Sequence, residues 1–313
     1  MDKKVSEGTK DKIWDLVVIG FGPAGYTAGV YALRYNLDVL IVGEEQGGLV
    51  ASVSHIENWP GDDKISGLDL MNRMCNHYLK LGGAQKECAI INLQKDNNLF
   101  KLKTLANEVI YAKTIILATG TKRKKLNVYG EDKFFGRGLS YCATCDAPFF
   151  KEKTVAVIGG GNSAFSAARH LSQFARKIYI IHRRDEFRAH PTDIEYMKDK
   201  AEYIMNSIVR KIEGKLKVEK LVLANVETEK EIELKVDGVF VEVGQIPTTS
   251  LISELGVETE EGFVKVNEDM STNISGFFAA GDCTNGLNKM KQIVTATAMG
   301  AISAETAYKY VKG

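Results

Sequence analysis

One short pattern occurs twice in this chain, and it leaves few folds open. Asp15 to Ile19, DLVVI, is an apolar run of the kind that forms a strand buried on both faces. It leads into Gly20-Phe21-Gly22-Pro23-Ala24-Gly25 and then the helix-forming YTAGVYALRYN. Further on, Val155 to Ile158 leads into Gly159-Gly160-Gly161-Asn162-Ser163-Ala164, with alanine in place of the last glycine. Both are glycine turns with a strand before and a helix after, the context a dinucleotide-binding unit requires. In each, the first glycine permits the tight turn, the second lets a pyrophosphate approach the backbone, and the third position allows helix to pack closely on strand. The anion then rests on the helix N-terminus. The expected fold class is therefore α/β, with two Rossmann-like dinucleotide-binding domains, and the 313 residues suffice for about two domains with cores of their own.

The strand that follows each turn separates the two units chemically. LDVLIVG ends at Glu44, twenty-four positions after Gly20, where a carboxylate can accept hydrogen bonds from an adenosine ribose. KIYIIHRR places Arg183 twenty-four positions after Gly159, flanked by His182 and Arg184 and followed by Arg188. Guanidinium groups suit a 2′-phosphate, which they bind through charge-assisted and often bidentate hydrogen bonds. The first unit is thus expected to take a plain adenosine cofactor and the second NADPH, with Gly159, Gly161, Asn162 and Ser163 at the pyrophosphate. The competing reading is a solvated basic face neutralised by Asp185 and Glu186.

Later segments suggest how the chain folds back. VIYAKTIILATG ends at Thr119 and Gly120, and SGFFAAGDC ends at Gly281-Asp282 before the helix-like QIVTATAMGAISAETAYKYV. Such a Gly-Asp can set a carboxylate beside a cofactor's ribityl or phosphate region, and the helix offers N-terminal amides to negative charge on a ring. The last segment is expected to return to the first unit. That gives a discontinuous domain, 1–122 plus 248–313, with the second unit inserted at 123–247 and two short linkers as a hinge. The stretch KAEYIMNSIVRKIEGKLKVEKLVLANVETEKEIELK reads as a helix end followed by exposed, charged hairpin strands.

Cys142 and Cys145, in SYCATCDAPFF, hold two of the five cysteines. Zinc needs four ligands and this pair supplies two; Cys75, Cys88 and Cys283 are scattered, and His170, His182 and His190 lie in or after the second unit. A redox disulfide is favoured by position, since Cys145 lies fourteen residues before Gly159 and Asp146 follows to shuttle a proton. Idle loop thiols are the bland alternative. A nicotinamide does not ordinarily reduce a disulfide directly, whereas a flavin accepts the hydride and passes both electrons to sulfur; this identifies FAD as the first cofactor.

Forty-one basic side chains against forty acidic ones build no strong field for nucleic acid or an anionic membrane. The charged opening MDKKVSEGTKDK precedes no signal-type apolar stretch, and no run approaches the ~20 apolar residues of a membrane span, so a soluble cytoplasmic protein is expected. There a disulfide is more often catalytic than structural, and Cys75, Cys88 and Cys283 read as small apolar residues.

GFGPAGYTA, IENWPG, ATG, CATCD, VIGGGNSA, HRRDEFR and GFFAAGD, in this order from Asp15 to Val311, closely resemble the low-molecular-weight thioredoxin reductase family. The resemblance implies that Cys145 lies against the flavin, that Cys142 exchanges with a protein disulfide, and that Asp146 donates the proton. It implies FAD contacts from Asn58, Asp282, Gln292 and Ile293, beside Gly20, Gly22, Pro23, Ala24, Gly25, Glu44, Gly48, Thr119 and Gly120. It further implies a homodimer, a rotating inserted domain, and thioredoxin or a similar small disulfide protein as partner. Three departures stand out: Lys291 where an arginine is usual, Phe165-Ser166 where an acidic pair is usual, and Ala147-Pro148 where a glycine follows CATCD. The departure at Phe165-Ser166 bears on how the nicotinamide ribose is held. Two other functions stay open on these residues. One is a related disulfide reductase or dithiol oxidase serving a glutaredoxin-like or peroxiredoxin partner; the other is a nucleotide-binding regulatory module without turnover.

Overall fold

A computed structural model describes residues 12–53 and 56–313. The chain divides into two compact units, one formed by residues up to Lys122 together with Ile246–Gly313, the other by Arg123–Gln245. The second crossing falls two residues earlier than the sequence suggests. The two linker segments, Thr121–Arg123 and Gln245–Pro247, pair as short strands.

The first unit opens with β1 (Ile13–Ile19), α1 (Pro23–Arg34) and β2 (Val39–Gly43). It continues through α2 (Gly67–Lys80), β3 (Ala84–Glu87), β4 (Ile90–Asp96), β5 (Leu99–Thr104) and β6 (Val109–Leu117). Pro23 occupies the first turn of α1, where its missing N–H costs nothing. Ser66 caps α2 by accepting from the Asp69 N–H at 3.1 Å. The sheet order is β3-β2-β1-β6-β5-β4. β1 lies parallel between β2 and β6, so its side chains alternate between two apolar layers. Leu16 and Val18 pack among Ala28, Tyr78 and Met299, whereas Val17 and Ile19 pack among Phe100, Leu102 and Phe277. Burial on both faces explains why DLVVI has no polar alternation beyond Asp15.

The second unit begins with β7 (Leu139–Ser140), α3 (Ala143–Asp146), β8 (Thr154–Ile158), α4 (Asn162–Leu171) and β9 (Lys177–Ile181). Then come α5 (Pro191–Met197), β10 (Glu202–Ile204), β11 (Ser207–Glu213), β12 (Lys220–Asn225), β13 (Glu231–Lys235) and β14 (Gly238–Val241). β10-β9-β8-β14-β7 form a wholly parallel sheet. Val155, Val157 and Phe240 face the helices with Phe165, while Ala156, Ile158, Val239 and Val241 face Ile212, Leu221 and Leu223 of the antiparallel sheet β11-β12-β13.

The stretch expected to be a helix end and exposed hairpins differs in two respects. Tyr203 and Ile204 extend the parallel sheet beside Ile180 and Ile181, because a β-branched and an aromatic side chain at a sheet edge gain cross-strand packing that a helix end does not offer. The hairpins carry charge on one face only, where Lys220 meets Glu233 at 2.6 Å; their other face is core.

The chain then returns to the first unit through β15 (Phe277–Ala279), parallel to β6, and α6 (Ile293–Lys312). Helix α6 packs along α1 through small residues. At Gly300 an added Cβ would lie 2.3 Å from the Ala24 carbonyl oxygen, so this crossing admits no side chain. Among the described residues no helix is long and apolar enough to cross a membrane.

Candidate active site

The first glycine turn is built by three different constraints. Gly20 has φ +127°, and a Cβ there would meet the Ala118 carbonyl oxygen at 2.2 Å. A Cβ on Gly25 would reach the Gly20 carbonyl oxygen at 1.9 Å. Gly22, by contrast, faces open space, with nothing within 4 Å of such an atom. The first and third glycines therefore let backbone segments touch, and the second leaves room for a ligand. Gly48 approaches Gly22 from the β2 side, and Gly120 after β6 also opens onto free space.

The other residues expected at FAD lie on further elements of the same unit. Thr119 Oγ1 donates to the Thr248 carbonyl at 2.8 Å. Asn58 Nδ2 donates to Gln292 Oε1 at 3.1 Å, tying the ENWPG turn to the first turn of α6, where Gln292 is the N-cap and Ile293 the first helical residue. Gly281 lies against the Ala24 methyl, which places Asp282 beside the start of α1. Glu44 is exposed just beyond β2. Burial raises the pKa of the Asp282 carboxyl, while the nearby Lys291 ammonium opposes the rise. Lys291 donates to the Asp282 carbonyl and lies 3.8 Å from the centre of the Phe263 ring. Its own pKa is lowered by burial, against the pull of Asp282. A pair in which desolvation outweighs mutual attraction suits a bound polyol, whose hydroxyls can donate to the carboxylate and accept from the ammonium. These features fit FAD.

In the second unit the cradle recurs with small changes. Gly159 has φ +148°, and Gly161 opens onto free space. Ala164 fills the third position because its Cβ sits just clear of Gly159, 3.0 Å from where a Gly159 Cβ would be. Asn162 Oδ1 accepts from the His190 N–H at 2.9 Å, closing the loop that carries the arginines over the start of α4, and Ser163 is exposed in that helix's first turn. Arg188 N–H donates to the Gly160 carbonyl at 2.7 Å. Among the described residues, Arg183, Arg184 and Arg188 make none of the ion pairs, so Asp185 and Glu186 do not neutralise them. His182 is buried behind them, and its Nε2 has no hydrogen-bond partner. Its pKa is lowered by burial and by the charges of Arg184, Arg183 and Arg188. An orphaned ring nitrogen and three unpaired guanidinium groups fit a phosphate-bearing nucleotide.

The cysteines settle one alternative. Cys142 and Cys145 are bonded to each other, with Cα atoms 5.3 Å apart. Cys142 caps the short helix α3, and its Sγ accepts from the Cys145 N–H at 3.2 Å. The buried Ser140 hydroxyl accepts from the Cys142 N–H at 3.0 Å, and Asp146 N–H donates to the Cys142 carbonyl at 3.1 Å. Both cysteines and Asp146 are partly exposed, while Ala143 and Ala147 anchor the turn in the core. No group of His, Cys, Asp or Glu among the described residues is arranged to hold a metal.

A family model described as pyridine nucleotide-disulphide oxidoreductase matches residues 14–300. The chain belongs to these enzymes, within the low-molecular-weight thioredoxin reductases. A Listeria innocua protein named thioredoxin reductase is 39% identical over 309 residues, covering 97% of this chain and 96% of its own. The crystal structure of a Streptococcus pyogenes thioredoxin reductase shares 36% identity at a TM-score of 0.90, with 96% of this chain and 98% of the other covered. A Giardia duodenalis thioredoxin reductase reaches a TM-score of 0.92 at 30% identity, with 97% and 100% covered.

Two features escaped the sequence reading. Glu242 directly follows β14, and burial pushes its carboxyl up to about 8. The only signal was a charge interrupting the apolar run GVFVEVG. The contact in which Tyr26 donates to Gln46 at 3.2 Å also escaped it, since Gln46, twenty positions on, lies outside every motif.

Proposed function

We propose that this protein is an NADPH-dependent thioredoxin reductase whose Cys142–Cys145 disulfide passes electrons to thioredoxin or a similar small disulfide protein. The observation that carries this reading is the bonded cysteine pair on a partly exposed turn of the unit that also holds the second glycine cradle and its unpaired arginines. FAD is held by the first unit, through Gly22, Gly48, Asn58, Thr119, Asp282 and Gln292, and NADPH by the second, through Gly161, Ser163, His182, Arg183, Arg184 and Arg188. Bound FAD supplies a two-electron link between nicotinamide and sulfur.

The chain's own chemistry begins with the reduced pair. Cys142, as thiolate, attacks one sulfur of the partner disulfide; a mixed disulfide forms and the partner's other sulfur leaves as thiolate. Cys145, as thiolate, then attacks Cys142 Sγ, the second partner sulfur leaves, and the internal disulfide is restored. The two protons lost by the cysteines end on the two partner thiols, and Asp146, one residue beyond Cys145, relays them. The Cys145 N–H, already directed at Cys142 Sγ, favours the thiolate at that sulfur. The protein acts in this reading as a cytoplasmic homodimer.

The test uses the FAD-loaded protein. Cys142→Ser and Cys145→Ser should each keep the yellow flavin spectrum and lose NADPH-driven thioredoxin reduction by at least three orders of magnitude. Undiminished turnover in either variant refutes the route through these sulfurs. Full NADPH oxidation with other disulfide proteins, but none with thioredoxin, would redirect the partner and leave the route intact.

A further inference from the structure

The duplicated fold contains an internal comparison. In the first unit Ala118 directly follows β6; its N–H donates to the Ile19 carbonyl at 2.8 Å, and its own carbonyl oxygen lies 2.2 Å from where a Gly20 Cβ would be. In the second unit Glu242 directly follows β14; its N–H donates to the Ile158 carbonyl at 2.8 Å, and its carbonyl oxygen lies 2.4 Å from where a Gly159 Cβ would be. Two residues later each chain has a glycine of positive φ facing open space, Gly120 and Gly244. Ala118-Thr119-Gly120 and Glu242-Val243-Gly244 therefore occupy equivalent places. The turn itself asks only for a small buried side chain there, as Ala118 shows. A glutamate is not required by the fold.

Its position gives it a task. The parallel sheet winds from β8 to β9 and β10 on one side and reaches β14 and β7 on the other, so the crevice between the ends of β8 and β14 is the topological switch point where a dinucleotide lies. The arginines follow β9 and mark the adenosine end. The opposite half of the dinucleotide consequently extends over the end of β14. Strand alternation sets Glu242 on the Phe240 face, that of α3 and α4, whereas Val239 and Val241 face the antiparallel sheet. The first turn of α4 carries no acidic residue, and among the described residues no hydrogen bond or ion pair involves the Glu242 carboxyl. A half-buried carboxyl without a protein partner awaits a polar partner from a ligand.

We propose that Glu242 binds the nicotinamide-ribose half of the dinucleotide, its carboxyl pairing with the ribose hydroxyls. Burial without a counter-charge, which pushes this carboxyl up to about 8, agrees with a group kept for a ligand and not for a structural ion pair. The inference rests on the reading of the second unit as the NADPH site.

Titration of the FAD-loaded protein with NADP⁺ and with adenosine 2′,5′-bisphosphate, which lacks the nicotinamide half, separates the two claims. Glu242→Ala should weaken NADP⁺ binding about tenfold or more, Glu242→Gln by a smaller factor, and neither should change the affinity for the bisphosphate by more than about twofold. An NADP⁺ affinity unchanged in Glu242→Ala overturns the assignment, as does an equal loss for both ligands, which would mark a structural role. If the unaltered protein binds no bisphosphate at all, the dinucleotide reading itself fails.

Discussion

Glu242 also makes the stability of the protein depend on pH in a direction opposite to that of most carboxylates. Its carboxyl has an ordinary value of 4.5 and is held at about 8 in the folded chain by desolvation alone. Folded protein therefore keeps this proton over a range in which the unfolded chain has released it. The associated stabilisation is fully present below pH 4.5 and is lost progressively as pH rises to about 8, beyond which it does not change further. At 1.36 kcal/mol per pH unit the ceiling is about 5 kcal/mol. The side chain is only partly buried, so solvent screening reduces this and an effect of about 2 kcal/mol is expected. Glu242→Gln removes the ionisation while keeping the shape. Thermal unfolding of both proteins at pH 5 and pH 8.5 should show the variant gaining on the parent by upwards of about 5 °C at the higher pH. Comparing the two cancels the contribution of Asp282, whose pKa is also raised by burial and which is present in both. Parallel pH profiles would mean that the carboxyl is not desolvated in solution, and would remove one support of the ligand-binding role as well.

Two further outcomes follow from the second unit. Arg183→Ala with Arg184→Ala should lower kcat/KM for NADPH by about 30-fold to 1000-fold and leave that for NADH within about threefold, since charge-assisted hydrogen bonds contribute about 1.5–3 kcal/mol each and the exposed Arg183 is partly screened; an unchanged NADPH to NADH preference refutes the 2′-phosphate assignment. Phe165 is fully buried, with its ring edge-on to Phe187 at 4.8 Å, so Phe165→Ala should cost about 3–5 kcal/mol, read as a fall in the unfolding midpoint, while Phe165→Glu should leave the second unit unfolded in circular dichroism.

What could be read from the sequence was local or repeated. LVVI and TVAVI are dominated by apolar residues because strands covered on both faces have no solvent side. The glycines after them recur at the fixed spacing of a strand–turn–helix unit, even though Gly20 and Gly159 are confined by the distant carbonyls of Ala118 and Glu242. The arginines after β9 could be placed because the spacing of a strand–turn–helix–strand unit is nearly constant. Contacts between distant segments left no such trace. Nothing in IENWPG announces that Asn58 will bond Gln292, 234 positions later. Lys291 was visible as a departure from the family, but its place against Asp282 and Phe263 depends on how α6 returns to the sheet. The stretch around Tyr203 was misread as a helix end because its charged neighbours hid a three-residue strand whose only reward is the edge of a sheet formed elsewhere.

The two units show which parts of a shared fold are free to differ. Gly20 and Gly159 must lack side chains, since each would otherwise enter a carbonyl oxygen, and that demand is identical in both. The third turn position tolerates alanine in the second unit because its Cβ clears Gly159, whereas in the first unit a Cβ on Gly25 would enter the Gly20 carbonyl oxygen at 1.9 Å. Beyond these contacts the sheet edge imposes little, and at the residues the turn does not constrain the two halves part ways. Glu44 stands where Arg183 recurs, and Ala118 where Glu242 recurs. Each change adds or removes charge at one end of the crevice, and none alters the backbone that forms it. A duplicated nucleotide cradle can therefore take two cofactors at the cost of a few side chains. The residues proposed to distinguish the cofactors are ones whose side chains find no partner among the described residues: His182 at Nε2, the arginines after β9, and Glu242 at its carboxyl.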